Sequence, residues 1–222
     1  MSIAIAIDGP AGAGKSTIAR LAAHELGFIY VDTGALYRAI GLAAQRRAIA
    51  SSDTDAVVAL LDSITVELAF NDHHEQVVLL DGEDVSAYIR TPEISMMASA
   101  VSAIPAVRAY LLDLQRDIAR RNNVIMDGRD IGTVVLPDAQ IKIFLSASPE
   151  CRARRRYDEL IEKGMDVNYD DVLRDVVDRD YADSHREIAP LKPAEGAIMV
   201  DTSWQTKEQS VKQLIQIMRD NL

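Results

Sequence analysis

Cys151 is the one cysteine in 222 residues. That excludes a disulfide within the chain and any metal site built from several thiolates. Aromatic residues make up only 5% of the chain, and no apolar run approaches the roughly 18 residues of a membrane span. Positive charge is also short. Lys and Arg number 24 against 34 Asp and Glu, for a formal net charge of −10. A broad nucleic-acid or membrane surface does not fit that balance, so any polyanion must be held by local basic clusters. The Asn-Lys-x-Asp motif of guanine-specific switches is missing. No charged leader precedes the first apolar run, so a cytoplasmic protein is expected. There is no internal repeat and no heptad pattern, which leaves a monomer as the default. The length suits one domain with inserts.

What is present is concentrated in residues 3–17, I-A-I-A-I-D-G-P-A-G-A-G-K-S-T. Gly9, Gly14, Lys15 and Ser16 fit G-x-x-x-x-G-K-[ST]. A short apolar run precedes them. Ile18, Leu21, Ala22 and Leu26 then recur at helical spacing up to Gly27. Strand, glycine loop and helix form the context this motif requires. Glycines let successive N–H groups turn toward an anion, and the helix N-terminus adds its positive end. Gly9, Pro10, Ala11, Gly12, Ala13, Gly14, Lys15, Ser16 and Thr17 are therefore expected to bind a nucleoside triphosphate. Lys15 would bridge the outer phosphates and the Ser16 hydroxyl would ligate Mg²⁺.

Residues 28–31 form a second apolar run before Asp32-Thr33-Gly34, and Tyr37, Ile40 and Leu42 to Ala44 then indicate a helix reaching about Arg47. Residues 64–70 alternate apolar and polar, residues 77–80 form a partner strand, and Asp81-Gly82 offers a hairpin turn. This predicts a small antiparallel sheet inserted into a parallel fold. His73 and His74 fall in the polar turn before the partner strand; with no third ligand suggested, a solvated loop fits better than a metal site. Thr91-Pro92-Glu93 opens a helix to about Ala103, and Pro105 opens another. Apolar strands follow at 124–126, 141–145 and 197–200, with helices over 149–163, 169–184 and 206–221. Five apolar strands separated by helices predict an α/β fold with a five-stranded parallel sheet and helices on both faces. Ligands in such folds sit at the carboxyl ends of the strands.

Asp127 ends one such strand and fits the role of organising the Mg²⁺ shell. The alternative is a carboxylate that merely caps the turn before Gly128. Arg152, Arg154, Arg155 and Arg156 place four guanidiniums in five residues at a helix start. Like charges repel there and oppose the helix dipole, so a mobile lid closing over transferring phosphates is expected. The alternative is a solvated basic face balanced by Asp158, Glu159 and Glu162. Phosphoryl transfer needs positioning, Mg²⁺ and positive charge rather than covalent work by the protein. Arg129 follows a strand end and points to the ligand rim. For Arg38, Arg108, Arg179 and Arg186 sequence position alone gives no convergence.

With those residues in view, the chain resembles the bacterial-type cytidylate kinases, P-loop kinases that phosphorylate CMP and dCMP from ATP. The blocks that carry the resemblance are the glycine loop, D-T-G-A-L-Y-R (32–38), D-G-E-D-V-S-x-x-I-R-T-P-E (81–93), M-D-G-R-D-I-G-T-V-V-L-P-D-A (126–139), I-K-I-F-L-S-A-S (141–148), R-R-R-Y-D-E-L (154–160) and A-P-L-K-P-A (189–194). They cover nearly the whole chain, and the G-R-D block is far more specific than the glycine loop. The resemblance implies a single kinase domain with an acceptor-binding insert over about 36–107 and a lid over about 151–168. It implies ATP as donor with Mg²⁺, CMP or dCMP as acceptor, and neither nucleic acid nor membrane as partner. Arg38, Arg129 and Arg186 would bind the CMP phosphate, and Arg179 and Asp183 the ribose. Ser99, Arg108 and Asp130 would read the base, and Thr33, a serine in some relatives, would face the same site. Arg155 and Arg156 would belong to the lid and, with Lys15, Arg129 and Arg186, serve the transfer. Cytosine's amino group suits a carboxylate acceptor such as Asp130, whereas uracil presents an oxygen there. Rival readings are a P-loop kinase for UMP, AMP or shikimate, and a regulatory ATPase that works by changing partners.

Overall fold

A computed structural model describes residues 2–71 and 75–222; His73 and His74 lie outside them. The strands are β1 (Ala4–Asp8), β2 (Ile29–Asp32), β3 (Val66–Phe70), β4 (Gln76–Leu80), β5 (Glu83–Asp84), β6 (Val124–Gly128), β7 (Ile141–Ser146) and β8 (Ile198–Asp201). The α-helices are α1 (Lys15–Leu26), α2 (Thr33–Arg46), α3 (Thr54–Leu61), α4 (Pro92–Val101), α5 (Pro105–Arg121), α6 (Pro149–Glu162), α7 (Tyr169–His185) and α8 (Lys207–Asn221). The predicted five-stranded sheet is present in the order β2-β6-β1-β7-β8. The predicted antiparallel insert is also present, as β3-β4-β5. The chain separates into two compact units, residues 3–28 with 123–222, and residues 29–122.

In the first unit β1 lies between β6 and β7, parallel to both. Every residue of β6 is buried, as a strand covered on both faces requires. The register sets Ile7 opposite Asp127 and Asp8 opposite Gly128. The carboxylates that end these strands therefore come level at one edge. Beyond β6 the backbone makes a π-type turn over Ile131–Val135, with the Val135 and Leu136 amides donating to the Asp130 and Ile131 carbonyls at 3.2 and 2.7 Å. Helices α6 and α7 form a hairpin with its own small core of Ala153, Leu160 and Val172, flanked by Tyr157, Val167, Tyr169, Leu173 and Val176.

The second unit is organised on α2. Ala35, Leu36, Ala39, Ile40, Ala43 and Ala44 are all buried, the pattern of a core helix rather than a one-sided one. The sequence places apolar residues of this helix from Tyr37 on and leaves its start open. The structure begins it at Thr33, because the Asp32 carboxylate caps it by accepting from the Ala35 amide at 3.1 Å. Gly34 in the first turn disguises that start. Helix α4 ends at Val101 rather than Ala103, two residues of turn being needed before Ile104 takes the extended conformation that Pro105 imposes. The β4–β5 turn is the expected Asp81-Gly82, with φ of 51° and 81°, the left-handed pair of a two-residue hairpin.

Candidate functional site

The glycine loop follows β1 directly. Gly9 has φ 150°, and a Cβ there would lie 1.9 Å from the Leu145 carbonyl oxygen. No other residue lets the chain leave the strand so close to β7. The carbonyls of the loop are held by side chains. Lys15 Nζ donates to Pro10 O at 2.7 Å, Arg152 Nη1 to Ala11 O at 3.1 Å, and Thr202 Oγ1 to Ala13 O at 3.3 Å. In a trans peptide the following N–H points the opposite way, so the amides are left to line the loop as an anion cradle.

Lys15 and Ser16 begin α1. Ser16 Oγ donates to Asp127 Oδ2 at 2.9 Å, which joins the loop to the end of β6 through two oxygen donors. Lys15 is 5% exposed. Burial lowers its ammonium to about 7, nearby Arg129 adds to the depression, and Asp127, Asp8 and Asp183 oppose it.

The G-R-D segment forms the other half of this centre. Arg129 Nε donates to Asp183 Oδ2 on α7 at 2.9 Å. Asp130 is buried, with the Arg186 guanidinium 3.9 Å away. Arg186 also donates from Nε to Ala189 O at 2.6 Å. Arg129, Asp130, Asp183 and Arg186 are thus brought into one network with Lys15 and Asp127 nearby. Asp8 belongs to it as well and escaped the sequence reading. Its carboxylate is 3% exposed and accepts the Ile131 and Gly132 amides, both at 2.7 Å. Burial outweighs those two bonds and raises its pKa to about 6. The signal was available: Asp8 ends an apolar strand just as Asp127 does. Its function in pinning the π-type turn was not legible, because that turn has no sequence signature.

Repulsion among four adjacent cations was the reason to expect a visiting anion, but each has a protein partner. Arg152 bonds Asp180 through both terminal nitrogens. Arg154 lies over the Tyr169 ring at 4.6 Å and the Tyr157 ring at 5.5 Å. Arg155 donates to Thr202 O at 2.7 Å, and Arg156 to Glu159 at 2.9 Å. Arg152, Arg155 and Arg156, at i, i+3 and i+4, share a face of α6 from which Arg152 and Arg155 reach the loop carbonyls of Ala11 and Ala13, while Arg154 lies over the two tyrosines. A pocket of ≈ 210 Å³ beside the loop is lined by Gly14, Thr17, Ile18, Arg155, Gln205, Lys207 and Ser210.

In the second unit, Arg38 donates to Asp32 Oδ2 at 2.7 Å, so one carboxylate both caps α2 and orients this arginine. Thr33 is buried beside it in sequence. Arg108 lies over the Tyr37 ring at 5.7 Å and donates to Ser102 O at 3.1 Å. The contact of the Tyr37 ring with Arg108 is one the sequence did not reveal. Ser99 is half-buried on α4.

Comparison with known proteins identifies the family. The cytidylate kinase family model matches residues 5–220. A protein named cytidylate kinase from Caldanaerobacter subterraneus subsp. tengcongensis is 51% identical over 221 residues, covering 100% of this chain and 96% of that one. One of the same name from Caldicellulosiruptor saccharolyticus is 50% identical over 215 residues, covering 97% and 95%. A third, from Carboxydothermus hydrogenoformans, is 49% identical over 214 residues, covering 96% of each.

Proposed function

Because the chain belongs to the cytidylate kinase family and transfers a phosphoryl group from ATP to CMP or dCMP, we propose the following roles for its residues. The loop Gly9 to Thr17 holds the donor phosphates on its amides, and Lys15 leaves the Pro10 carbonyl to bridge the outer phosphates. Ser16 and Asp127 hold Mg²⁺. A hydroxyl and a carboxylate at bonding distance are hard oxygen donors, and Mg²⁺ is commonly held by one or two such groups with phosphates and waters. The ion, when bound, neutralises charge on the donor phosphates. Arg38, Arg129 and Arg186 grip the acceptor phosphate, Arg179 and Asp183 the ribose, and Ser99, Arg108 and Asp130 the base, with Thr33 facing the same acceptor site. Arg155 and Arg156, in a lid over 151–168, bring positive charge to the moving phosphoryl group. The acceptor-binding insert spans about 36–107.

The observation that carries this reading is the Ser16–Asp127 bond at 2.9 Å, made where loop, helix and strand end meet. Asp127→Asn should raise the Mg²⁺ concentration needed for half-maximal CDP formation at least tenfold, about 1.4 kcal/mol. An unchanged Mg²⁺ requirement in the folded variant refutes the metal role.

A pH effect follows from Lys15. Its folded pKa of about 7 means the free ammonium has largely lost its proton near pH 8. Donor phosphates favour the charged form, so binding takes up a proton. Calorimetry of ATP binding near pH 8, in buffers of different ionisation enthalpy, should show uptake approaching one proton, falling toward zero near pH 6. No buffer dependence near pH 8 contradicts the reassignment of Lys15 from Pro10 to phosphate.

A cytoplasmic monomer acting on nucleotides alone is the simplest setting. Among the described residues no single helix is long and apolar enough to cross a membrane. The bent pair α4 and α5 passes by length and composition, with Ile94, Val101, Val107 and Leu111 buried in the core of the second unit.

A further inference from the structure

Arg152 is given no contact with a nucleotide in the roles above, yet it is 2% exposed and its donors are committed. Nε donates to Ala147 O at 2.8 Å, and Nη1 to Ala11 O at 3.1 Å. Nη1 also donates to Asp180 Oδ1 at 2.9 Å, while Nη2 bonds Asp180 Oδ2. A guanidinium with its fork filled by one carboxylate and two carbonyls has little left for a phosphate. It does, however, hold the middle of the phosphate loop. Fixing the Ala11 carbonyl outward fixes the Gly12 amide inward, since the peptide is planar and trans. The loop's amide geometry is thereby set by a side chain of α6, which is itself oriented by a carboxylate of α7.

The second observation lies one turn further along α7. Asp183 follows Asp180 at i+3, hence on the same face, and holds Arg129 Nε at 2.9 Å. One stripe of α7 therefore grips the donor loop through Arg152 and the strand-end arginine through Asp183. We propose that Arg152 and Asp180 are positioning residues that couple the two nucleotide grips. Donor phosphates that order the loop hold Arg152 in place. Arg152 fixes the Asp180 turn of α7, and the same turn presents Asp183 to Arg129. The coupling is reciprocal, so acceptor bound at Arg129 firms the donor loop in return. This rests on the assignment of Arg129 to the acceptor phosphate.

The test is calorimetric titration of CMP into the full-length protein, with and without a saturating non-hydrolysable ATP analogue and Mg²⁺. For the unmodified chain the analogue should tighten CMP by ~5-fold or more. Asp180→Asn keeps the shape but not the charge that fills the guanidinium fork. Arg152→Lys keeps the charge but cannot reach both carbonyls and the carboxylate at once. In each the coupling factor should fall toward one, while affinity for CMP alone stays near that of the unmodified chain. Asp180→Glu should restore part of it. A purely structural role would lower both affinities together and leave their ratio intact; that result overturns the proposal, as does an absence of coupling in the unmodified chain. Two variants of opposite kind, with thermal midpoints measured, separate loss of coupling from loss of fold. Arg129→Ala serves as the independent control. If it leaves CMP binding untouched, the acceptor-phosphate assignment has failed, whatever the Asp180 variants do.

Discussion

Lys15→Ala is expected to lower kcat on the order of a thousandfold, about 4 kcal/mol of activation free energy, in a protein that still folds. The ammonium starts α1 at the mouth of the loop and, among the described residues, donates to the Pro10 carbonyl, which an anion can replace. Charge on the phosphoryl group spreads over its oxygens as it transfers, so the contact is worth more in the transition state than in the bound substrate. KM for ATP should therefore change less than kcat. Stability should not follow activity down. Burial already disfavours this cation, as its pKa of about 7 records, and removing it removes that cost along with its contacts. Single-turnover CDP formation and a thermal melt decide the matter. Near-normal turnover in the folded variant ends the phosphate role.

Asp130→Ala should weaken CMP by about tenfold to a hundredfold, about 1–3 kcal/mol, while ATP affinity changes little. The carboxylate is 5% exposed and faces Arg186 rather than water. An amino group of cytosine meeting no acceptor there loses its bond without solvent to replace it. Asp130→Asn separates two explanations. Its amide oxygen still accepts a hydrogen bond, so CMP affinity should recover in part if the base is read. It should not recover if the charge beside Arg186 is what counts. Preference for CMP over UMP should narrow in the Ala variant. Equal weakening of CMP and ATP, measured by calorimetry, removes Asp130 from base recognition.

The glycine loop, the five strands and the inserted hairpin were legible because each rests on a local rule: a spacing, a period or a turn dipeptide. The strand-end placement of Asp127 and Arg129 was legible for the same reason, since both stand at the end of an apolar run. The fate of the arginines was not. Arg152 finds Asp180 and Arg155 finds Thr202, partners 28 and 47 residues away that no window on the cluster could contain. The rule that like charges repel was sound, but tertiary partners satisfied it. The start of α2 was obscured by Gly34, although the capping carboxylate stood in plain view at Asp32. Tyr37 looked like one more apolar position on a helix. Only the fold shows that its ring faces a guanidinium.

The α6–α7 hairpin carries its own small core, clasped by Arg154 between Tyr157 and Tyr169. Its helices are bound to each other before any nucleotide arrives, so most of their disorder is removed once, when the chain folds, and not again in every catalytic cycle. The lid proposed over 151–168 is thereby one end of a stiff helix pair. If that proposed lid closes, the bending falls on the few residues at the margins of the pair, and the speed of opening becomes a property of those margins.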